Sequence, residues 1–299
     1  MRCFEMDYEP YHCIKNTMSK SKPMHFYSHT LEWVYPNEIF ECIISLKKKF
    51  AKNFLEKGVI KFNSPNNWER YAIENTTGRG DILEGSYAAF PYDSNVRKFL
   101  LQNQYPDSRV CPILYNDSNL LHLKHNESMS LPCYCYYILR NKDFKLSKTR
   151  NGYQAKAVVP CRYFRGLEDG RNWEEENKLE EGEQLVSVRI SDHDEFIRRI
   201  KLALTKIGIL EKEILVRAVK YEELDKPYPP KRQHPMELFV KDKQFSDQSE
   251  GRIVIHSKNK EAEAILINDT IAIGSIEDIA YIDEHYYSGG MFITIDITT

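Results

Sequence analysis

The chain has 299 residues, 41% of them hydrophobic, and its 42 basic and 44 acidic side chains almost cancel. This size and composition predict a globular protein with a sizeable core. The balanced charge excludes the field of one sign that bulk nucleic-acid binders spread over their surface. The sequence has seven cysteines, no apolar leader and no apolar run near the roughly 18 residues of a membrane span, and so predicts a reduced, cytoplasmic protein without membrane contact.

The N-terminal part of the chain alternates irregular and periodic stretches. Residues 1–24 predict a poorly held N-terminal arm, and residues 25–30 predict a first strand. A helix is predicted from an N-cap at Asn37 to Gly58, because apolar side chains recur there at helical spacing: Ile39, Ile43, Leu46, Phe50 and Phe54. A short strand and then a turn are predicted next, at residues 59–62 and 63–67.

The remaining predicted elements are mostly strands. Asp192 and Glu195 form a capping pattern for a second helix, which Gly208 is placed to end after Ile207. Acidic and glycine-rich blocks predict an exposed loop near residues 166–184. We expect a single α+β domain over residues 25–299 with a mostly C-terminal sheet. Its strands are predicted at residues 110–123, 131–139, 155–163, 184–190, 213–221, 253–255, 264–267, 271–273, 279–283 and 291–297.

Two short motifs suggest chemistry but have simpler explanations. Cys133 and Cys135 form the only close cysteine pair, and no second pair or histidine at ligand spacing accompanies them. We therefore predict buried thiols in a strand rather than a metal site. The run Ser191-Asp192-His193-Asp194 is the only hint of a nuclease, and it is better explained as the start of a helix.

Gln248 and Glu250 lie where a polar loop meets the β-branched residues 253–255. If the strand begins at Gln248, period-2 geometry points both side chains to the same face. An amide and a carboxylate would then converge on one ligand. The sequence therefore predicts a candidate catalytic corner at this junction.

Four other pairs in the chain, each of two glutamates, have the same spacing as Gln248 and Glu250. Two of them lie in the acidic block, and a third lies in a charged run without an upstream aromatic residue. Glu211 and Glu213 stay as an alternative, because they also open a predicted strand. The rival pairs are Glu174 with Glu176, Glu181 with Glu183, Glu261 with Glu263, and Glu211 with Glu213.

A carboxylate preceded two residues earlier by Gln or Glu, at the start of a late strand and just after an aromatic residue, resembles the motif of the ADP-ribosyltransferase superfamily. Here these residues are Glu250, Gln248 and Phe245. The layout of residues 25–297 is also similar to the abortive-infection and toxin-type branch of that superfamily. It has an early strand, a helix ending at Gly58, and a Ser-Pro turn followed by Asp81 and Glu84.

This resemblance implies a fold and an activity. The fold would be an ADP-ribosyltransferase-like α+β domain, with a mixed or antiparallel core sheet and flanking helices. The activity would be NAD-dependent transfer of ADP-ribose to RNA, DNA or protein, as in toxins of bacterial phage defence or toxin–antitoxin systems. An antitoxin protein is then a possible partner.

The resemblance also implies roles for particular residues. Glu250 would stabilise the oxocarbenium-like centre that forms as nicotinamide leaves NAD, and Gln248 would orient the acceptor. Phe245 would pack near the nicotinamide or the acceptor. Further NAD contacts would come from residues that replace the usual first-strand Arg or His, which are His25, Tyr27, Ser28 and His29, and from Ser128 and Ser130 in place of the usual serine element. Arg79, in a loop rich in glycine, is a further candidate to bind the pyrophosphate, on its charge alone.

An alternative function belongs to a different class. The chain could be a catalytically inactive module of the same fold that binds nucleic acid or a protein partner through exposed aromatic side chains. The candidate contacts are Tyr105, Tyr134, Tyr136, Tyr137 and Arg140.

Overall fold

A computed structural model describes residues 12–14, 24–28, 30–74, 81–102, 108–115, 118–160, 180–230, 233–283 and 290–298. Its helices α1 to α6 are, in chain order, Lys48–Lys57, Pro65–Glu74, Ser94–Gln102, Asn126–Ser130, His193–Lys206 and Lys260–Asn268. Its strands β1 to β19 are His12–Ile14, Met24–Tyr27, Glu32–Trp33, Ile39–Lys47, Val59–Ile60, Ser86–Pro91, Ser108–Tyr115, Ser118–His125, Cys133–Arg140, Lys145–Thr149, Gly152–Val159, Leu185–Ile190, Ile214–Ala218, Lys220–Glu222, Val240–Asp242, Glu250–Ile255, Ile271–Ala272, Ala280–Asp283 and Met291–Thr298. Short 3-10 helices lie at Asn141–Asp143, Glu181–Glu183, Glu211–Glu213, Met236–Phe239 and Lys243–Gln248.

The central sheet has six strands in the order β13-β16-β9-β4-β12-β18, and every neighbouring pair is antiparallel. Helices α1, α5 and α6 cover one face, where Val188, Phe196 and Ile253 are fully buried. Strands β2, β11 and β19 cover part of the other face, around Ile43 and Leu139. The structure is therefore an α+β protein with antiparallel strands at its centre, as the sequence predicts.

Strand β4 corrects the predicted helix over residues 37–58. The residues Ile39–Lys47 form a central strand, and the helix is confined to α1. Cys42 packs in the core on the helical face of the sheet, and Ile43 packs in the core on the other face. Because both faces are buried, apolar side chains need not alternate along the strand, and their spacing matches a helical period by coincidence. Gly58 ends α1 as predicted, in the left-handed conformation with a φ of 61°.

Three further segments differ from the prediction. Residues 264–267, predicted as a strand, belong to α6, which begins after an N-cap at Asn259. The predicted turn over residues 63–67 contains the start of α2, because proline is well suited to the first position of a helix. His12–Ile14 lies inside the predicted irregular arm, but it forms β1 and pairs with β2.

Other elements are confirmed. Asp192 caps α5 by accepting a hydrogen bond from the Glu195 amide at 3.0 Å, and this accounts for the acidic run at the start of the helix. The strand at the predicted catalytic corner is also present, and all six residues of β16 are buried. Cys133 and Cys135 lie in β9 as free thiols. Residues 166–179 of the predicted acidic loop lie outside the described residues.

Candidate functional site

Gln248 and Glu250 do come together, although strand geometry is not the reason. Strand β16 begins at Glu250, Gln248 ends the preceding 3-10 helix, and Ser249 between them is left-handed with a φ of 37°. Both side chains nevertheless reach Lys241, whose Nζ donates to Gln248 Oε1 at 2.8 Å and to Glu250 Oε2 at 2.8 Å. The amide and the carboxylate thus converge on one group, and that group is an ammonium of the chain itself.

Glu250 belongs to a buried ion cluster with Arg252, Glu84 and Lys241. Arg252 Nε and Nη2 donate to Glu250 Oε1 at 2.8 Å and 2.6 Å. Arg252 Nη1 contacts Glu84 Oε1 and the carbonyl oxygen of Leu238. The four charged residues are 0% to 6% exposed. Two cations and two anions therefore compensate one another where water does not reach them.

The ion cluster fixes the charge of Glu250. Burial alone would raise the pKa of this carboxyl, but the positive charges of Arg252 and Lys241 outweigh burial and lower the pKa to about 2. Burial would likewise lower the pKa of Lys241, but Glu250 and Glu84 raise it above its ordinary value. The carboxylate and the ammonium are therefore both charged at neutral pH, and each oxygen of the carboxylate already accepts a hydrogen bond from a cation.

Asp81 lies at the edge of the ion cluster and is 2% exposed. Its Oδ1 accepts from the Leu83 amide at 2.8 Å, and its Oδ2 accepts from the Asp242 amide at 3.4 Å. Burial, and then the negative charge of Glu84, raise the pKa of Asp81 to about 6. Asp81 therefore changes its charge just below neutral pH, in contrast to Glu250.

We expect Asp81→Asn to raise the free energy of unfolding at pH 8 by about 1–3 kcal/mol. The pKa of Asp81 in the folded chain, about 6, is above the unfolded value of about 3.9. Its contribution therefore favours folding fully below about pH 4 and is lost as the pH rises through about 6. Denaturant unfolding of the parent and the variant at pH 4 and pH 8 measures this difference. An equal gap between the two proteins at both pH values would contradict the prediction.

A cavity opens where the central sheet divides. Strand β4 pairs with β9 only over residues 39–43 and 137–140, and beyond this point β4 continues along β12 while β9 continues along β16. The gap holds a cavity of about 530 Å³, which is within the usual size range of ligand pockets. Its wall includes the rings of Phe50, Trp68 and Tyr134. The size and the aromatic wall of this cavity therefore suit a small molecule.

Cys135 and Trp68 connect the cavity to the ion cluster. Cys135 lines the cavity, and its thiol is close enough to the Glu250 carboxylate to help lower the pKa of that carboxyl. Trp68 also lines the cavity, and the Arg252 guanidinium lies 5.0 Å from the centroid of its ring. Burial raises the pKa of the Cys135 thiol, so it stays protonated at neutral pH. Glu250 thus lies directly behind the cavity wall.

The residues predicted to replace a first-strand Arg or His are not on the central sheet. His25 and Tyr27 lie on β2, in a separate sheet with β1 and β3, and Ser28 follows that strand. The NAD contacts that were predicted for these three residues stay predictions. His29 and Arg79, which were predicted to contact NAD, lie outside the described residues.

The predicted serine element is at the wrong end of the sheet. Ser128 and Ser130 precede β9, and β9 runs antiparallel to β16, so they lie beside the end of β16 while Glu250 lies at its start. Ser128 is fully buried, and the Ser130 hydroxyl donates to the Glu127 carbonyl at 2.8 Å. The chain therefore does not bring these serines to Glu250.

Phe245 is buried next to the predicted site. Its side chain is 3% exposed, and the Lys241 ammonium lies 5.6 Å from the ring centroid. The ring therefore packs beneath the ion cluster. That Phe245 packs near the nicotinamide or the acceptor stays a prediction.

The aromatic contacts of the alternative binding function are mostly core residues. Tyr136 is 1% exposed and Tyr137 is 4% exposed. Tyr134 and Arg140 are half-buried, and Tyr105 lies outside the described residues. The predicted binding surface is therefore wrong at Tyr136 and Tyr137, because other elements cover both faces of the central sheet at β9.

The alternative carboxylate, Glu213, has a structural role. Its Oε2 accepts from the Ser257 hydroxyl at 2.7 Å and from the Leu210 amide at 3.0 Å, and its Oε1 accepts from the Lys258 amide at 3.2 Å. These bonds join a 3-10 helix to the loop after β16. Glu213 has no part in the ion cluster, so Glu250 is the better candidate.

A second polar group, missed from the sequence, lies beyond the opposite end of β16. We call Glu127, His234 and His256 the histidine cluster, because one ligand atom from each of them lies within 4.8 Å of the others. Glu127 lies in the first turn of α4, His234 precedes the 3-10 helix Met236–Phe239, and His256 directly follows β16. These residues are far apart in sequence and share no local spacing, so only the pairing of the strands reveals them.

The chain was compared with protein-family models, with curated proteins and with solved structures, and no match was found. Within the part of the chain that the structure describes, no helix has both the length and the apolar character needed to cross a membrane.

Proposed function

We propose that the chain is an ADP-ribosyltransferase of toxin type, with an ADP-ribosyltransferase-like fold, that transfers ADP-ribose from NAD to RNA, DNA or protein. Glu250 is its catalytic carboxylate, and Gln248 is the residue that orients the acceptor. The observation that carries this proposal is the convergence of the Gln248 and Glu250 side chains at the start of a central strand, both 2.8 Å from Lys241 Nζ.

The charge state of Glu250 suits this chemistry. Cleavage of the bond between nicotinamide and ribose creates an oxocarbenium-like centre, and a fixed negative charge stabilises it. The low pKa of Glu250 keeps the carboxylate ionised at neutral pH. To meet the ribose, Oε2 has to release Lys241, while Oε1 stays bound to Arg252. Binding of NAD therefore has to displace one ammonium.

The cavity between β4 and β9 offers a place for part of NAD. Its aromatic wall suits the flat face of nicotinamide or adenine. Ser45 also lines the cavity, and its buried hydroxyl has no hydrogen-bond partner among the described residues. A bound ligand would supply that partner. Cys135 separates this cavity from Glu250, so the reacting ribose would lie next to Cys135.

The experiment is incubation of the full chain with NAD labelled in its adenylate part and with protein, RNA and DNA acceptors. We expect Glu250→Gln to lower label transfer by at least about 100-fold, because it removes the charge that stabilises the reacting centre. Glu213→Gln is the matched control and should keep parental activity. Gln248→Ala should lose transfer to the acceptor while nicotinamide is still released from NAD.

The control variant makes the result decisive. Thermal unfolding of each variant shows whether lost activity reflects lost folding. Equal activity of Glu250→Gln and the parent, or loss of activity in Glu213→Gln alone, would contradict the assignment of Glu250.

The second candidate function is a catalytically inactive module of this fold that binds nucleic acid or a protein partner. The observation that favours it is the engagement of both Glu250 oxygens by Arg252 and Lys241 in a buried cluster, as in structural ion pairs. This function predicts no release of nicotinamide and no binding of NAD by the parent chain. A partner antitoxin stays a prediction under either function.

A further inference from the structure

The histidine cluster has the composition of a transition-metal site. His234 Nε2 lies 3.4 Å from Glu127 Oε2, and His256 Nε2 lies 3.7 Å from Glu127 Oε1. Both imidazoles thus turn the same ring nitrogen towards one carboxylate. Two imidazoles and a carboxylate are ligands of zinc in proteins, whereas calcium and magnesium prefer oxygen alone.

From this geometry we propose that Glu127, His234 and His256 bind one zinc ion. Zinc bonds of about 2.0–2.2 Å in a tetrahedron place neighbouring ligand atoms roughly 3.3–3.5 Å apart. His234 Nε2 lies 3.4 Å from one Glu127 oxygen and His256 Nε2 lies 3.7 Å from the other, and one ligand atom of each residue lies within 4.8 Å of the others, so the three side chains are already near that spacing. A small movement of exposed side chains therefore completes the site.

The surroundings of His234 match those of a metal ligand. Its Nδ1 lies 2.5 Å from Ser128 Oγ and 3.4 Å from Glu237 Oε1. Both partners are fully buried. A buried hydrogen-bond partner on one ring nitrogen orients the ring and leaves the other nitrogen to the metal. The other nitrogen, Nε2, is buried and has no hydrogen-bond partner among the described residues.

Lys260 competes with the metal for Glu127. Its Nζ lies 3.0 Å from Glu127 Oε1 and also 2.9 Å from Glu263 Oε2. The Lys260 side chain is 57% exposed, so it can leave Glu127 and keep its ion pair with Glu263. Zinc binding therefore breaks only the ion pair between Lys260 and Glu127. The free energy lost is that of an exposed ion pair, which is small.

The site has three protein ligands and an open fourth position. The side chains of Glu127 and His256 are 48% and 36% exposed, so water reaches the metal from their side. Three protein ligands and one water is the arrangement of zinc sites that keep an exchangeable position. The site does not depend on NAD chemistry, because it shares no residue with the ion cluster around Glu250.

The experiment is titration of the purified, chelator-treated full chain with Zn²⁺ by calorimetry, and with Co²⁺ by visible spectroscopy. We expect one ion per chain with a dissociation constant of about 1 μM or below. His256→Gln and Glu127→Gln should each weaken binding by at least about 100-fold, which is the upper range for loss of a residue that only supports a ligand. Lys260→Met should strengthen binding about twofold to fivefold.

His193→Gln is the matched control, because His193 lies at the start of α5, away from the cluster, and this variant should bind zinc as the parent does. The cobalt spectrum should lack the near-ultraviolet absorption of cobalt–thiolate bonds, which excludes binding by the cysteines. Zinc should also raise the melting temperature of the parent and of His193→Gln, but not of His256→Gln. Absence of stoichiometric binding, unchanged binding in His256→Gln and Glu127→Gln, or a thiolate spectrum would overturn the proposal.

Discussion

Arg252→Met is expected to lower the free energy of unfolding by about 3–5 kcal/mol. Arg252 is fully buried, and its guanidinium is the shared partner of Glu250 and Glu84. Methionine fills part of the volume but leaves two buried carboxylates with only Lys241 beside them. A buried charge without its partner is costly, because neither water nor a counterion compensates it.

Urea unfolding at pH 7 measures this effect, with Arg198→Met as the control. Arg198 also pairs with a glutamate, Glu195, but its side chain is 59% exposed. Loss of that surface pair should cost at most about 1 kcal/mol. A similar loss in the two variants would show that the ion cluster is not shielded from water.

The double variant Glu250→Gln, Arg252→Met separates the energy of the buried ion pair from the cost of leaving one of its charges without a partner. Removal of both partners of a buried ion pair is often much less costly than removal of one. We therefore expect the double variant to be more stable than Arg252→Met, with a favourable coupling between the two changes. Additive losses would mean that Glu250 and Arg252 stabilise the fold through separate contacts.

Phe196→Ala is expected to lower the free energy of unfolding by about 3–5 kcal/mol. Phe196 lies on α5, is fully buried against the central sheet, and packs edge-to-face on Phe54 with 6.4 Å between ring centroids. Alanine removes the ring and leaves a cavity that the surrounding strands cannot fill. The effect is large because α5 is held mainly by this apolar face.

The same unfolding measurement tests this prediction, with Phe292→Ala as the control. Phe292 lies on β19 and is 57% exposed, so its loss should change the free energy of unfolding by about 0.5 kcal/mol or less. Phe196→Leu keeps most of the volume and should cost about 1.5 kcal/mol or less. Equal stability of Phe196→Ala and the parent would place α5 outside the cooperative core.

Local signals were enough to predict α5 and β16. The cap at Asp192 and the glycine after Ile207 mark both ends of the helix within a few residues. The β-branched run that ends at Ile255 marks the strand. In each case the residues that indicate the element lie within it or next to it, so a short stretch of sequence is enough to predict it.

The errors arise where burial depends on distant parts of the chain. Strand β4 is buried on both faces, and several of the elements that cover it, such as α5, α6 and β19, follow much later in the chain, so its apolar spacing does not reveal the period of a strand. In α6, Ala262 and Leu266 are buried and lie one helical turn apart, but an apolar run this short also fits a strand. Gln248 and Glu250 were predicted to meet, whereas Lys241, their shared partner, was not.

The segment from His234 to Lys241 contacts β16 or residues close to it at both ends and in the middle. His234 contacts buried Ser128 at one end, the Leu238 carbonyl accepts from Arg252 in the middle, and Lys241 bonds Glu250 at the other end. Opening of this segment would expose charged groups and break these contacts together. The segment has little regular secondary structure, yet we expect it to open slowly and together with the core rather than to fluctuate as a loop.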